Sequence, residues 1–237
     1  MRTVWGLYNS EVGNARPLVL DCGCGRGSYA YRLDEEQYVG LDVDALSIKL
    51  AHRFYPENMF VVGDATKLPF RGSVFDHVIC SEVLEHVSKD KAVLAELARV
   101  MKPSGRLILS VPNILCDNVF VNWQRDMVDN SVGHFRRGYS IAEISKLIED
   151  SGFKTLRNKY GCGPLTALVE CCIIKLGSIF GYTPSNLNRL FDEKSLFVRG
   201  ALGIYKSIFP FLLLFTCLDR FLPRRYKSNI GIIAERR

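Results

Sequence analysis

An apolar run ends in Leu18-Val-Leu-Asp-Cys-Gly-Cys-Gly-Arg-Gly27, in which three glycines at spacing two follow directly on a carboxylate. Glycines so spaced let a backbone turn tightly beneath a ligand and aim helix N-terminal amides at an anion. A nicotinamide or flavin fingerprint reads G-x-G-x-x-G or A, and Ser28 stands where its third position would follow Gly23 and Gly25. Asp21 would also repel a pyrophosphate, whereas a ligand with an amino-acid moiety and a cationic centre favours an acid nearby. A second acid closes Tyr38-Val-Gly-Leu-Asp42, placed to accept both hydroxyls of a ribose. A third lies in Val61-Val-Gly-Asp64-Ala65, where the carboxylate can accept from an adenine amine and the Ala65 N–H can donate to a ring nitrogen. Singly, each aspartate reads as a turn or N-cap residue. As a set, Asp21, Asp42 and Asp64 mark successive strand C-terminal ends, where open α/β sheets bind ligands.

The elements that must position these acids alternate short β-rich runs with amphipathic stretches, the pattern of a parallel sheet covered on both faces. The expected strands are Leu18 to Cys22, Tyr38 to Asp42, Met59 to Val62, His77 to Ser81, Arg106 to Val111, Phe153 to Lys159 and, at the end, Asn229 to Glu235. Leu94, Leu97, Ala98 and Met101 recur at helical spacing before Pro103-Ser-Gly105. Ser140-Ile-Ala-Glu143 reads as a capping box opening a helix that Gly152 ends. The reading is a doubly wound, mostly parallel α/β sheet over residues 1–163 and 228–237, with an apolar helical insert at 164–227 ahead of the last strand.

Composition narrows the class. With 237 residues, 48% hydrophobic and 24% charged, the chain has the make-up of one folded domain with an elaboration, not of a disordered or fibrous one. The net charge of +6 divides into −3 over residues 1–100 and +9 beyond, with the C-terminal cations scattered in ones and twos, which argues against a nucleic-acid partner. Eight cysteines sit mostly inside apolar runs, and Met1 onward shows no apolar signal segment, so a reduced, cytoplasmic protein is expected. Cys22-Gly-Cys24 lacks zinc-ligand spacing, and no metal is expected. Within the insert, Leu165 to Tyr182 carries Glu170 and Lys175, and Gly200 to Leu218 carries Lys206 and Pro210. A membrane span needs about 20 predominantly apolar residues, so the insert reads as a lid, an interface to a second copy, or a monotopic lipid-facing surface.

Taken together, V-L-D-C-G-C-G-R-G, G-L-D-V-D, G-D-A-T-K-L-P-F, F-D-H-V-I-C-S-E-V-L-E-H-V, L-A-R-V-M-K-P-S-G-R-L-I-L-S-V-P-N and G-H-F-R-R-G-Y-S stand in one order along the chain. This series resembles the class I S-adenosylmethionine-dependent methyltransferases, especially the group with the ubiquinone and menaquinone biosynthesis enzymes. The resemblance implies a seven-stranded sheet with an antiparallel last strand and S-adenosylmethionine as cofactor. It puts Gly23 and Gly25 beneath the methionine part, Asp21 near its amino end, Asp42 at the ribose, and Asp64 and Ala65 at the adenine. Ser81 and Glu82 would line the cofactor and acceptor side, and His86 follows them with either a structural or a functional role.

On the acceptor side, Asn113, Arg136 and Tyr139 belong to segments that resemble those closing over the acceptor in relatives. Arg136 can grip an anionic acceptor. His134 is the candidate general base for a hydroxyl or amine, since its ordinary pKa lies near working pH. The expected reaction is methyl transfer to an oxygen or nitrogen, less readily a carbon, of a small acceptor that the apolar insert suggests is hydrophobic or lipid-linked. A non-catalytic binding protein of the same fold and a nicotinamide-dependent dehydrogenase are the competing readings.

Overall fold

A computed structural model of the chain describes residues 17–30, 33, 37–116, 135–161, 163, 218–219, 221, 223 and 226–237. His134, the stretch Leu165 to Tyr182 and nearly all of Gly200 to Leu218 lie outside the described residues. The strands are β1 (Val19–Cys22), β2 (Tyr38–Asp42), β3 (Met59–Val62), β4 (Phe75–Ser81), β5 (Met101–Pro112), β6 (Phe153–Gly161) and β7 (Asn229–Arg236). They form one sheet in the order β3-β2-β1-β4-β5-β7-β6. β1 pairs in parallel with both β2 and β4, β2 with β3 and β4 with β5, while β7 runs antiparallel to β5. The chain winds outward in both directions from β1, so β1 and β4 flank the point at which strand order reverses. Ligands of open α/β sheets bind outside the strand C-termini at this point.

Val19–Cys22 of β1 and residues 107–111 of β5 are buried without alternation, the pattern of strands covered on both faces. Val19, Leu20 and Cys22 of β1 and Leu107, Ile108 and Leu109 of β5 are all fully buried. Helix α1 (Ala45–Phe54) starts where Asp44 accepts from the backbone N–H groups of Leu46 and Ser47. Its Ile48 and Ala51 join a cluster with Val19, Tyr38 and Phe60. Phe60 meets the Tyr38 ring edge-on at 5.7 Å. Helix α2 (Asp90–Val100) buries Val93, Leu94, Leu97 and Val100, a stripe at helical spacing against the sheet.

Two strands start well before the sequence reading places them. β4 begins at Phe75 and β5 at Met101, because Phe75 pairs with Met101 and His77 with Arg106, leaving residues 102–105 as a bulge on the β5 side. Ser104 there adopts φ +62°. Pro103-Ser-Gly105 is thus an irregularity within an extended run instead of a break before it.

Helix α3 (Ile141–Asp150) has the expected capping box: Ser140 accepts from the Glu143 N–H, and the Glu143 carboxylate accepts from the Ser140 N–H at 2.8 Å. Gly152, at φ +91°, closes it in the left-handed conformation that favours glycine.

The chain divides into two compact units, residues 1–114, 135–159 and 229–237 in one and residues 115–134 and 160–228 in the other. The first holds all the strands but the last residues of β6. Among the described residues no helix is long and apolar enough to cross a membrane, and no cluster of His, Cys, Asp and Glu is arranged to hold a metal ion. Ser140→Ala removes the cap that orders the start of α3 and is expected to lower unfolding free energy by about 1 kcal/mol in urea titration.

Candidate active site

In-register pairing decides where the acids go. Cys22 sits level with Leu41 and with Cys80, and Ser81 level with Ser110, so the C-terminal ends of β1, β2, β4 and β5 make one rim. The loop after β1 turns over this rim with Gly23 at φ +78°, Gly25 at φ +53° and Gly27 at φ +79°. The N–H groups of Gly23 and Cys24 both donate to the Leu41 carbonyl, at 2.7 and 3.0 Å, which ties the loop to β2. A Cβ at Gly23 would stand 2.2 Å from a methyl carbon of Val83, so the loop also packs against the segment after β4. Above Gly25 there is open space, with no atom within 4 Å of where a Cβ would be.

Asp42 joins the two strand ends. Its Oδ2 accepts from the Gly25 N–H at 2.8 Å and its Oδ1 from the Asp44 N–H at 2.9 Å. Asp64 is exposed at the end of β3, and its Oδ1 accepts from the Thr66 N–H at 2.8 Å. Hydrogen bonds from Thr66, together with the Lys89 charge, hold its carboxyl below the ordinary carboxylate range. Ala65 beside it is half-buried. Asp21 lies beneath the loop instead of at its surface: it is 1% exposed, and its Oδ2 accepts from the Tyr38 hydroxyl at 2.7 Å. Burial pushes its carboxyl up to about 7, with the Asp42 charge adding to the rise and the Tyr38 hydrogen bond opposing it.

Past β4, Ser81 receives a long hydrogen bond from Tyr29 Oη at 3.4 Å. Glu82 takes the left-handed backbone at φ +55°, and its Oε1 accepts from Ser110 Oγ at 2.6 Å and from Asn229 Nδ2 at 2.7 Å. Leu84 to His86 form a short 3₁₀ turn. Glu85 is 1% exposed, burial and the Glu82 charge push its carboxyl up to about 9, and its Oε2 has no hydrogen-bond partner. His86 Nε2 stands 4.0 Å from Glu85 Oε1.

The 135–139 segment is fastened onto this turn. The N–H groups of Phe135 and Arg136 donate to the Glu85 carbonyl at 2.9 and 3.3 Å. Arg136 pairs with Asp90 at 3.1 Å and lies over the Tyr139 ring at 4.0 Å. Tyr139 is 1% exposed, with its hydroxyl reaching Asp90 at 3.1 Å and the Leu84 carbonyl at 3.3 Å. Asn113 is 3% exposed and bridges to Tyr139 in parallel fashion. Tyr139 and Asn113 thus anchor the segment, and Arg136 is engaged with Asp90 and the Tyr139 ring. A cavity of about 310 Å³ lined by Pro17, Asp76, His77, Lys102 and Gly105 opens at the opposite, N-terminal ends of the strands and takes no part in this rim.

A family model described as a methyltransferase domain matches residues 20–109, which contain the glycine loop and all three rim acids. Residues 20–109, under half of the chain, are thus similar to a methyltransferase domain. The demethylmenaquinone methyltransferase of Renibacterium salmoninarum is 40% identical over 99 residues, covering 42% of this chain and 42% of that protein. The phthiotriol/phenolphthiotriol dimycocerosates methyltransferase 1 of Mycobacterium ulcerans is 33% identical over 143 residues, 59% of this chain and 52% of that one. The chain thus spans about half the length of these curated relatives. In fold it is similar to the magnesium protoporphyrin IX methyltransferase of Synechocystis, solved with bound S-adenosylhomocysteine, at TM-score 0.57 and 19% identity, covering 100% of this chain and 83% of that one. It is equally similar to the [4+2]-cyclase SpnF, at TM-score 0.61 and 17% identity over 99% and 80% of the two chains.

The cofactor of this methyltransferase domain is S-adenosylmethionine, and the residues present fit it. The space open above Gly25 admits a ligand's backbone-sized part, while Asp42 retains lone pairs beyond its two N–H donors for ribose hydroxyls. Sequence reasoning did not find Tyr38, Ser110, Asn229 or Glu85. The Glu82-x-x-Glu85 spacing was visible, but the burial of the second acid was not.

Asp21 gives a signed pH prediction. Its folded-state pKa, about 7, lies above the unfolded value of 3.8, so the folded chain binds more protons between them and stability falls as pH rises through that window. Asp21→Asn keeps a carbonyl acceptor for Tyr38 and removes the titration. Urea unfolding at pH 5 and pH 8 should show the variant gaining on wild type with pH, by up to about 2.7 kcal/mol, the two pH units from 5 to 7 at 1.36 kcal/mol per unit. An equal difference at both pH values would refute a buried, titrating Asp21.

Proposed function

We propose that the chain is a methyltransferase that moves the methyl group of S-adenosylmethionine to an oxygen or nitrogen of a small, hydrophobic or lipid-linked acceptor. The observation carrying this reading is that the methyltransferase-domain match, residues 20–109, contains the entire glycine loop, Asp42, Asp64, Ser81 and Glu82 on one rim. When bound, the cofactor supplies a sulfonium methyl donor that needs little further activation. What remains for the protein is to bind, align and keep out water.

Each residue has a place in that work. Gly23 and Gly25 cradle the methionine part, Asp42 accepts the ribose hydroxyls, and Asp64 with Ala65 recognises the adenine edge. Asp21 acts through the loop above it, because its oxygens are enclosed beside Tyr38. Ser81 and Glu82 stand between cofactor and acceptor. Asn113 and Tyr139, with Arg136, fix the segment that frames the acceptor, and His134 at the edge of that segment is the proposed general base. An apolar acceptor suits the apolar composition of residues 164–227, which on this reading form its lid or meet a lipid surface. Burial of the thiols of Cys22, Cys24, Cys80 and Cys116 supports a cytoplasmic, reducing setting.

Two measurements test the reading. Asp42→Ala should weaken binding of S-adenosylhomocysteine by calorimetry at least about tenfold, the scale of hydrogen bonds lost to a charged group, with the fold intact by circular dichroism. Unchanged affinity would sink the ribose assignment. Methyl-labelled S-adenosylmethionine incubated with the protein and a whole-cell extract should deliver label to the organic-soluble fraction. Label confined to polar metabolites would overturn the hydrophobic acceptor, and tighter binding of NAD than of S-adenosylhomocysteine would overturn the cofactor. In the same assay His134→Ala should abolish most transfer at unchanged cofactor affinity, and full activity would exclude it as base.

A further inference from the structure

Glu82 is held in a way that cofactor binding alone does not require. Its φ of +55° is a conformation that a residue with a side chain keeps only when its surroundings over-determine it. Those surroundings lie on one side. The Glu82 N–H donates to the Ser110 carbonyl at 2.9 Å, and Oε1 accepts from both Ser110 Oγ at 2.6 Å and Asn229 Nδ2 at 2.7 Å. Ser110 is on β5 and Asn229 opens β7, next in sheet order after β4. The glycine loop rises from β1, on the other side of β4, and packs against the neighbouring Val83. The Glu82 carboxylate therefore reaches away from the cofactor loop, across the rim toward the far strands.

Both donors converge on the same oxygen. That leaves Oε2 without a hydrogen bond among the described residues, on a side chain that is half-buried at the rim. The nearest second acid, Glu85, has its carboxyl pushed up to about 9 by burial first and the Glu82 charge second, so at neutral pH it places no full charge beneath Glu82. A carboxylate oxygen accepts and does not donate. What it can orient is a group bearing a proton.

We propose that Asn229 and Ser110 are positioning residues that hold Glu82 as the acceptor-facing carboxylate, with Oε2 placed to take a hydrogen bond from the hydroxyl or amine that receives the methyl group. This rests on the methyltransferase reading and narrows its acceptor to one whose nucleophile carries a proton. It also gives Asn229 a reason to stand at the first position of the last strand, where its amide completes the pocket from the far edge of the chain.

The experiment is a double-mutant cycle on the full chain. Initial rates of label transfer from methyl-labelled S-adenosylmethionine into a whole-cell extract are read beside calorimetric affinity for S-adenosylhomocysteine and the melting temperature. Asn229→Ala, with the near-isosteric Asn229→Asp as a second variant should alanine fail to fold, is expected to lower the rate about tenfold or more, the scale of a lost hydrogen bond to a charged group. Affinity for S-adenosylhomocysteine should stay within about twofold, and in a Glu82→Gln background the same substitution should cost under about twofold, since the two residues act as one. Equal losses in both backgrounds, or a fall in affinity that matches the fall in rate, would overturn the proposal and leave Asn229 a structural residue. A wild-type chain that fails to bind S-adenosylhomocysteine overturns the methyltransferase reading itself. One that binds it and passes label to no fraction keeps the cofactor and overturns the acceptor-facing role.

Discussion

The clasp between Asp42 and Gly25 is the contact on which the rest of the site depends. A glycine loop is by nature loose, because glycine loses more conformational freedom on folding than any other residue. Here the loop is fixed from the neighbouring strand: Asp42 accepts the Gly25 N–H, and the Leu41 carbonyl takes those of Gly23 and Cys24. All three bonds come from the end of β2, so the loop's position is inherited from the parallel register of β1 and β2. On the proposed reading the same carboxylate offers its remaining lone pairs to the ribose, so that loop order and ligand recognition share one side chain and a slip of β2 by one residue would remove both.

Under this clasp the sheet carries acids whose carboxyls burial pushes up. Asp21 sits below the loop against Tyr38, and Glu85 is enclosed within the turn after β4. In both, desolvation is the dominant cause of the raised pKa, and in both a carboxylate on the rim adds to it, Asp42 for Asp21 and Glu82 for Glu85. Charge stays at the surface of the rim, where solvent or ligand can meet it, while its layer of support is closer to neutral. That ordering follows from electrostatics alone: two adjacent carboxylates in a poorly solvated space do not both ionise at low cost, and the more buried one gives way.

How much of this was legible in the residues depended on whether the determinant was local. The acids at the ends of β1, β2 and β3, the capping box of α3 and the glycine loop are written in contiguous stretches, and the strands Tyr38–Asp42 and Met59–Val62 fell where the alternation put them. The early starts of β4 and β5 were hidden because Pro103-Ser-Gly105, a stop signal in isolation, is absorbed as a bulge once Phe75 pairs with Met101. Burial was hidden for the same reason. Nothing local distinguishes Tyr139, which is enclosed against Asp90 and Leu84, from a tyrosine at a pocket mouth, and the Ser110, Glu82 and Asn229 triad spans 147 residues of sequence. Its formation requires β7 to return beside β5, a non-local pairing that no window of sequence contains.

This division has a chemical meaning. The glycine-loop half of the rim is built from β1, β2 and β3, strands consecutive in sequence. The far half is assembled across β4, β5 and β7. A fold similar to both a methyltransferase and a cyclase fixes the first half without fixing the reaction. Specificity therefore belongs where the strands distant in sequence meet. In this chain the meeting point is a glutamate in a left-handed conformation, gripped through one oxygen from β5 and β7 and open at the other. Strain of that kind is not needed to close a sheet, and on the proposed reading it is maintained where the methyl acceptor meets the rim.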